Sequence, residues 1–179
     1  MIDVIIREER QKDFEKVNQV VKAAFKNVEQ SDHTEHLLVE RLRKSQAYIP
    51  ALSLVAQTSQ GEIVGHLLLS KAHIINGSQS FEVLALAPLS VAPAFQRNLI
   101  GSKLIEVAHH QRAKKLGYAA IVLLGHKDYY PRFGYKKASL FGVSFPFNAP
   151  DDCCMVIELQ KNALRGINGV VCYSQAFSS

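Results

Sequence analysis

The run Leu89-Ser90-Val91-Ala92-Pro93-Ala94-Phe95-Gln96-Arg97-Asn98-Leu99-Ile100-Gly101-Ser102-Lys103-Leu104 reads as an apolar strand, a polar loop centred on Gln96, and a helix opening at Gly101. A helix start leaves about four backbone N–H groups without intrahelical partners and carries partial positive charge. Amides arranged in this way hold phosphate oxygens without a lysine or a metal. Taken alone, the run is equally a plain strand-to-helix connection. About 30 residues further on lies Asp128-Tyr129-Tyr130-Pro131-Arg132-Phe133-Gly134-Tyr135. By type alone its phenols are core aromatics with one polar end.

The elements that must position these residues follow from periodicity. Val4 to Arg7 reads as a first strand. From Asp13, a helix N-cap by type, Phe14, Val17, Val20, Val21, Ala24 and Phe25 recur at helical spacing. A second helix covers Thr34 to Lys44, with Leu38 and Leu42 inward. Strands at Leu52 to Gln57 and Ile63 to Ile75 flank Ser59-Gln60-Gly61. Asn76-Gly77 is a hairpin signal, so Phe81 to Val91 returns antiparallel. The helix from Gly101 runs to about Leu116 and stops at Gly117. Ala119 to Leu124 is then a buried strand, and strand–helix–strand order favours a parallel crossover. A brief helix from Asp128 to Arg132 accommodates Pro131 in its first turn. Met155 to Leu159 and Val170 to Tyr173 are late strands. Periodicity alone stops at a mixture of α and β.

Together the two motifs resemble the GNAT superfamily of N-acetyltransferases. That family carries Gln/Arg-x-x-Gly-x-Gly/Ala after a strand, then a further strand and Tyr-x-x-x-Gly-Phe/Tyr. Gln96, Gly101, Tyr130, Gly134 and Tyr135 fall on the matching positions, and the likeness runs from about Ile2 to the Tyr135 region, more loosely to the C-terminus. It implies an α/β (α+β) fold: a mixed, mostly antiparallel central sheet with a parallel, splayed strand pair and flanking helices. One such domain would span residues 1–179. The implied activity is N-acetyl transfer from acetyl-CoA, as cosubstrate, directly to a primary amine on a small molecule or a protein. A homodimer through the late strands or the C-terminal tail is the assembly common to such folds.

The resemblance also implies a site. The diphosphate of the cofactor would rest on amides of Arg97, Asn98, Leu99, Ile100, Gly101 and Ser102, with Gln96 opening the loop. Leu89 and Val91 would line the slot, Val91 offering its main chain to the pantetheine arm and the thioester oxygen. Tyr130 holds the family position for the acid that protonates the leaving sulfur. A phenol of pKa about 10 keeps its proton at neutral pH and can give it to a thiolate of comparable basicity. Gly125 and His126 would form a shortened version of the turn beside pantetheine, and Arg132 reads either as a phosphate contact or as surface.

Three positions depart from the family pattern. Leu99 stands where the loop has its first Gly, and leucine resists positive φ, so the expectation is a loop built without that freedom or a shifted cofactor. Ala85 replaces a carboxylate base and Leu123 an Asn. Glu35 and His33 on the second helix, Glu82, His126 and ordered water are the alternative routes for the amine's proton. The departures motivate a second reading, a non-catalytic acyl-CoA-binding module with the same fold. His33 and His36 lack a third ligand, so no metal is expected.

Composition narrows the classes. At 179 residues with 47% hydrophobic and 21% charged residues, the chain suits one domain with a real core and excludes a disordered tail. No window approaches the roughly 18 apolar residues of a membrane span, and the start lacks the pattern of a signal peptide, so a cytoplasmic location is expected. The net charge of +5 is dispersed rather than striped, against nucleic acid as a partner. Adjacent Cys153 and Cys154, with Cys172, do not form a disulfide pattern.

Overall fold

The computed structural model describes residues 2–178; Met1 and Ser179, the ends of the expected domain, lie outside it. Its centre is a twisted sheet of nine strands: β1 (Val4–Glu8), β2 (Ser53–Thr58), β3 (Ile63–Asn76), β4 (Gln79–Val91), β5 (Ala120–Leu124), β6 (Lys136–Lys137), β7 (Val143–Ser144), β8 (Cys154–Glu158) and β9 (Gly169–Cys172). The order is β1-β2-β3-β4-β5-β8-β6, with β9 on the far half of β3 and β7 beside β9. Asn76 faces Gln79 across a two-residue turn of Gly77 and Ser78, so the hairpin expected from Asn76-Gly77 forms, with Asn76 as the last residue of β3 rather than in the turn. Two pairs are parallel, β4 with β5 and β7 with β9; the others are antiparallel. The two-residue strands β6 and β7 carry no sequence signal.

Period-two alternation divides the side chains between two faces. Ile121 and Leu123 of β5 join Met155 and Ile157 of β8 on one face, where Leu104 and Ile105 cover them. Ala120, Val122 and Val156 point the other way. Both faces are covered, which is why β5 reads as an unbroken apolar run. Helix α1 (Phe14–Phe25) buries Val17, Val20 and Val21, and α2 (Glu35–Arg43) buries Val39 and Leu42, against Val55 and Leu68. No helix among the described residues is long and apolar enough to cross a membrane.

Two local expectations are corrected. Asp13 does not cap α1 with its side chain. It turns back to accept from Arg10 N at 2.8 Å and from Arg7 Nη1 at 2.7 Å, because the two-pronged guanidinium outbids a single amide. The helix after the loop, α3 (Ile100–Glu106), does not stay α-helical to Leu116. It widens into π-helical turns over Val107–Ala113, where Lys114 N reaches His109 O at 3.0 Å. The wider turn aims buried His109 at Tyr135, Nε2 to Oη 2.9 Å. Gly117 still ends the segment at φ +86°.

Burial holds both core imidazoles neutral, His66 down to about 4 and His109 to about 3, the latter helped by His110. The unfolded chain protonates them near pH 6.5, so it binds more protons than the fold in the window below that. Their contribution is complete above about pH 6.5 and falls as pH drops toward 4, by about 1.4 kcal/mol per pH unit for each ring. Urea unfolding at stepped pH should show this slope, and His109→Gln should remove about one proton's share.

Candidate functional site

Strands β4 and β5 are in register only at Leu84–Ile121 and Ala85–Val122. Beyond that they part, leaving a gap between the last residues of each. Ala92 N donates to Val64 O at 2.8 Å, so Val91 opposite Gly65 is a non-hydrogen-bonded pair. The N–H and C=O of Val91 therefore face away from β3, toward the gap, and Gln96 Nε2 meets that carbonyl at 3.1 Å. Leu89 shares this phase. Pro88, between the two phases of the β3–β4 ladder, has no N–H to lose.

The loop that follows is pinned from both sides. Asn98 Nδ2 donates to Phe95 O at 3.2 Å and Gln96 O at 3.1 Å. Ile100 and Leu104 seat α3 on Gly65, where a Cβ would lie 3.1–3.2 Å from their side chains. Arg97 and Leu99 both take left-handed backbone, at φ +63° and +60°. The expectation that Leu99 prevents this conformation is wrong: the Asn98 clamp and the Lys103 N–Leu99 O bond of 3.0 Å fix it, against about 1–2 kcal/mol of steric cost. Left-handed residues turn successive N–H groups toward one side. Among the described residues, the amides from Arg97 to Ser102 have no acceptor within the protein.

These amides border a cleft of about 430 Å³. Leu89, Val91, Gln96, Arg97, Leu99, Ile100, Gly101 and Ser102 line it, so eight of the sequence-predicted residues come together there. Asn98 works behind the wall as the clamp. Gly125 and His126 are not in the lining: Gly125 N donates to Cys153 O at 3.0 Å, and His126 O accepts from Tyr129 N at 3.0 Å. Tyr129 and Arg132, one read as core and the other left open, do line it. Arg132 stacks 4.2 Å above the Tyr129 ring and donates from Nη2 to Ser102 Oγ at 3.3 Å.

The adjacent phenols divide the space. Tyr129 Oη lies 2.6 Å from where a Cβ on Gly101 would stand, at the loop end of the cleft. Tyr130 sits edge-on to Tyr129 and Tyr135, and its ring covers Gly125, just past the end of β5. Burial pushes the Tyr130 phenol well above its ordinary value. Ala85 and Leu123 are core residues. Glu35 is bonded to Ser31, Glu82 lies 3.8 Å from Lys71, and His33 stands in the turn before α2, bonded to Phe25 O.

Nine strands with one central parallel pair opening beside an amide-lined loop, flanked by helices on both faces, form the GNAT acetyltransferase architecture. Residues 5–138 match the family model described as "Acetyltransferase (GNAT) domain", and the chain belongs to that family. It is accordingly an acetyltransferase. It is 31% identical over 139 residues to the uncharacterized N-acetyltransferase YjhQ of Escherichia coli (strain K12), covering 75% of this chain and 76% of the relative. A GNAT family acetyltransferase from Brucella melitensis, solved in complex with acetyl-CoA, is 32% identical with a TM-score of 0.79, covering 99% of both chains. The fold also matches YhbS from Escherichia coli, solved in complex with CoA, at a TM-score of 0.85 and 24% identity over 100% of this chain and 94% of that one.

Proposed function

We propose that the chain is an acetyl-CoA-dependent N-acetyltransferase that passes the acetyl group directly to a primary amine, in the cytoplasm. The observation that carries this reading is the row of unpartnered amides from Arg97 to Ser102 beside the strand gap. They suit a diphosphate, with the Ser102 hydroxyl and the Arg132 guanidinium next to it. The free edge of β4 at Leu89 and Val91 suits an amide-bearing arm that pairs like an added strand.

Acetyl-CoA, when bound, supplies a thioester with a thiolate as leaving group. Tyr129 serves the phosphate end, since its hydroxyl lies at Gly101. Tyr130, over Gly125 at the end of β5, serves the sulfur end as general acid, and burial, which raises its phenol, keeps it in the protonated form that an acid requires. Water takes the amine's proton, because the residues at positions 85 and 123 are apolar and buried.

Calorimetry with acetyl-CoA tests the reading. The wild type should bind, and Gly101→Ala should weaken binding about tenfold or more, since the new Cβ meets Tyr129 Oη at 2.6 Å. Alanine is a better helix former than glycine, so the melting temperature should hold. Adding Tyr129→Phe removes the clashing oxygen and should recover part of the affinity. No heat with wild type would refute the reading.

A further inference from the structure

A second concavity, of about 780 Å³, opens at the same strand gap. Leu86 and Ala87 of β4 and Leu124 at the end of β5 form its inner edge. Ala87 lines this basin and Leu89 lines the loop cleft, two residues apart on β4, so the two openings are neighbours along that strand. Its outer wall is aromatic. Phe147 stacks on Tyr173 at 6.1 Å and 22°, and Tyr173 packs on Phe177 at 4.8 Å.

No Asp, Glu, Lys, Arg or His is among its lining residues, and burial keeps the Tyr173 phenol uncharged. The rim is apolar as well: Leu124, Phe147 and Val170 are 50%, 43% and 44% exposed. Three large apolar side chains left in water around one opening mark a surface that a ligand covers. The volume falls in the range of small-molecule sites, about 300–1,000 Å³.

We propose that this basin holds the acceptor, a monoamine whose body is one or two aromatic rings. The proposal rests on the transferase reading above. Aromatic walls favour a ring in edge or offset contact, and one ammonium is tolerated over a ring face. A polyamine or other multiply charged acceptor would lose hydration at every charge with no carboxylate to replace it. The same apolar surroundings favour the neutral amine by desolvation, which answers the missing carboxylate at Ala85. The amine nitrogen then forms the C–N bond as the C–S bond breaks; its proton passes to water, the sulfur takes one from Tyr130, and water returns a proton to the Tyr130 phenolate.

Saturation-transfer NMR with phenethylamine and spermidine tests the ligand class without requiring turnover, alongside acetyl-CoA calorimetry and a thiol-release assay. Phenethylamine ring protons should be saturated by wild type, and spermidine should not. Phe147→Ala, at an exposed rim position, should weaken the phenethylamine signal and lower its kcat/KM by about tenfold, with KM for acetyl-CoA unchanged. Acetyl-CoA binding without phenethylamine saturation, equal saturation of spermidine, or an unaffected Phe147→Ala variant would each overturn the inference. Absent acetyl-CoA binding would instead overturn the transferase reading, and with it the acceptor role.

Discussion

Tyr130→Phe should lower kcat by about 10²- to 10⁴-fold, the range of a lost general acid, while KM for acetyl-CoA stays within a factor of about two. The asymmetry distinguishes an acid from a wall. Tyr130 is absent from the lining of the loop cleft that suits the diphosphate, so removing its hydroxyl leaves the contacts at that end in place. Its ring contacts with Tyr129, Tyr135 and Gly125 survive in phenylalanine, so folding should be unaffected. Tyr129→Phe should give the opposite pattern, a raised KM for acetyl-CoA with kcat nearly unchanged. The pH profile adds an independent check. Because burial raises the Tyr130 phenol, the wild-type rate should climb as the amine deprotonates and show no descending limb near pH ~10, where an ordinary phenol ionises. Steady-state kinetics on both variants would decide it. Parental turnover by Tyr130→Phe at every pH would remove the residue from the mechanism.

The contrast between the two tyrosines shows where sequence stops being informative. The hairpin turning at Gly77, the apolar run of β5 and the helix start near Gly101 were legible because each rests on local chemistry: positive φ, burial on two faces, unpaired amides. Neighbouring phenols share a motif but diverge in space, and only the 3₁₀ turn over Tyr130–Phe133 determines which one meets Gly101. Leu99 ran against its own propensity because contacts from Asn98 and Lys103 outweigh it. The π-helical turns at Val107–Ala113 could not be read, since the same residues would serve an α-helix until Tyr135 offers His109 a partner. The aromatic basin draws on residues from Ile75 to Ser178 with no shared spacing. Its chemistry exists only after the chain has closed.

The largest loss of stability should come from Arg43→Leu, at a pair that sequence separation also conceals. The Glu9 carboxylate is fully buried and the Arg43 side chain is 6% exposed, and they are directly hydrogen-bonded. Around them Ser53 Oγ donates to Glu9 Oε2 at 2.7 Å, Tyr48 Oη donates to the same oxygen at 3.3 Å, and Arg43 Nη1 donates to Asn18 Oδ1 at 3.1 Å. With its proton given to Glu9, Ser53 Oγ accepts from His66 Nε2 at 3.0 Å, which fixes the imidazole as the Nε2–H tautomer. The network thus ties β1, α2, β2 and β3 through one carboxylate. Taking away the guanidinium strands a buried charge, and the expected cost is about 3–5 kcal/mol, or about 10 °C in melting temperature for a chain of this size. Glu9→Leu combined with Arg43→Leu removes both charges and should restore part of that loss, because no charge is left unpaired while Ser53 and Tyr48 lose their acceptor. Urea unfolding of the single and double variants measures the difference. A loss below about 1 kcal/mol in the single variant would mean that water or a proton reaches Glu9 after all. Neither residue lines the loop cleft, so the folded single variant should keep parental turnover, separating what holds the sheet together from what it was built to position.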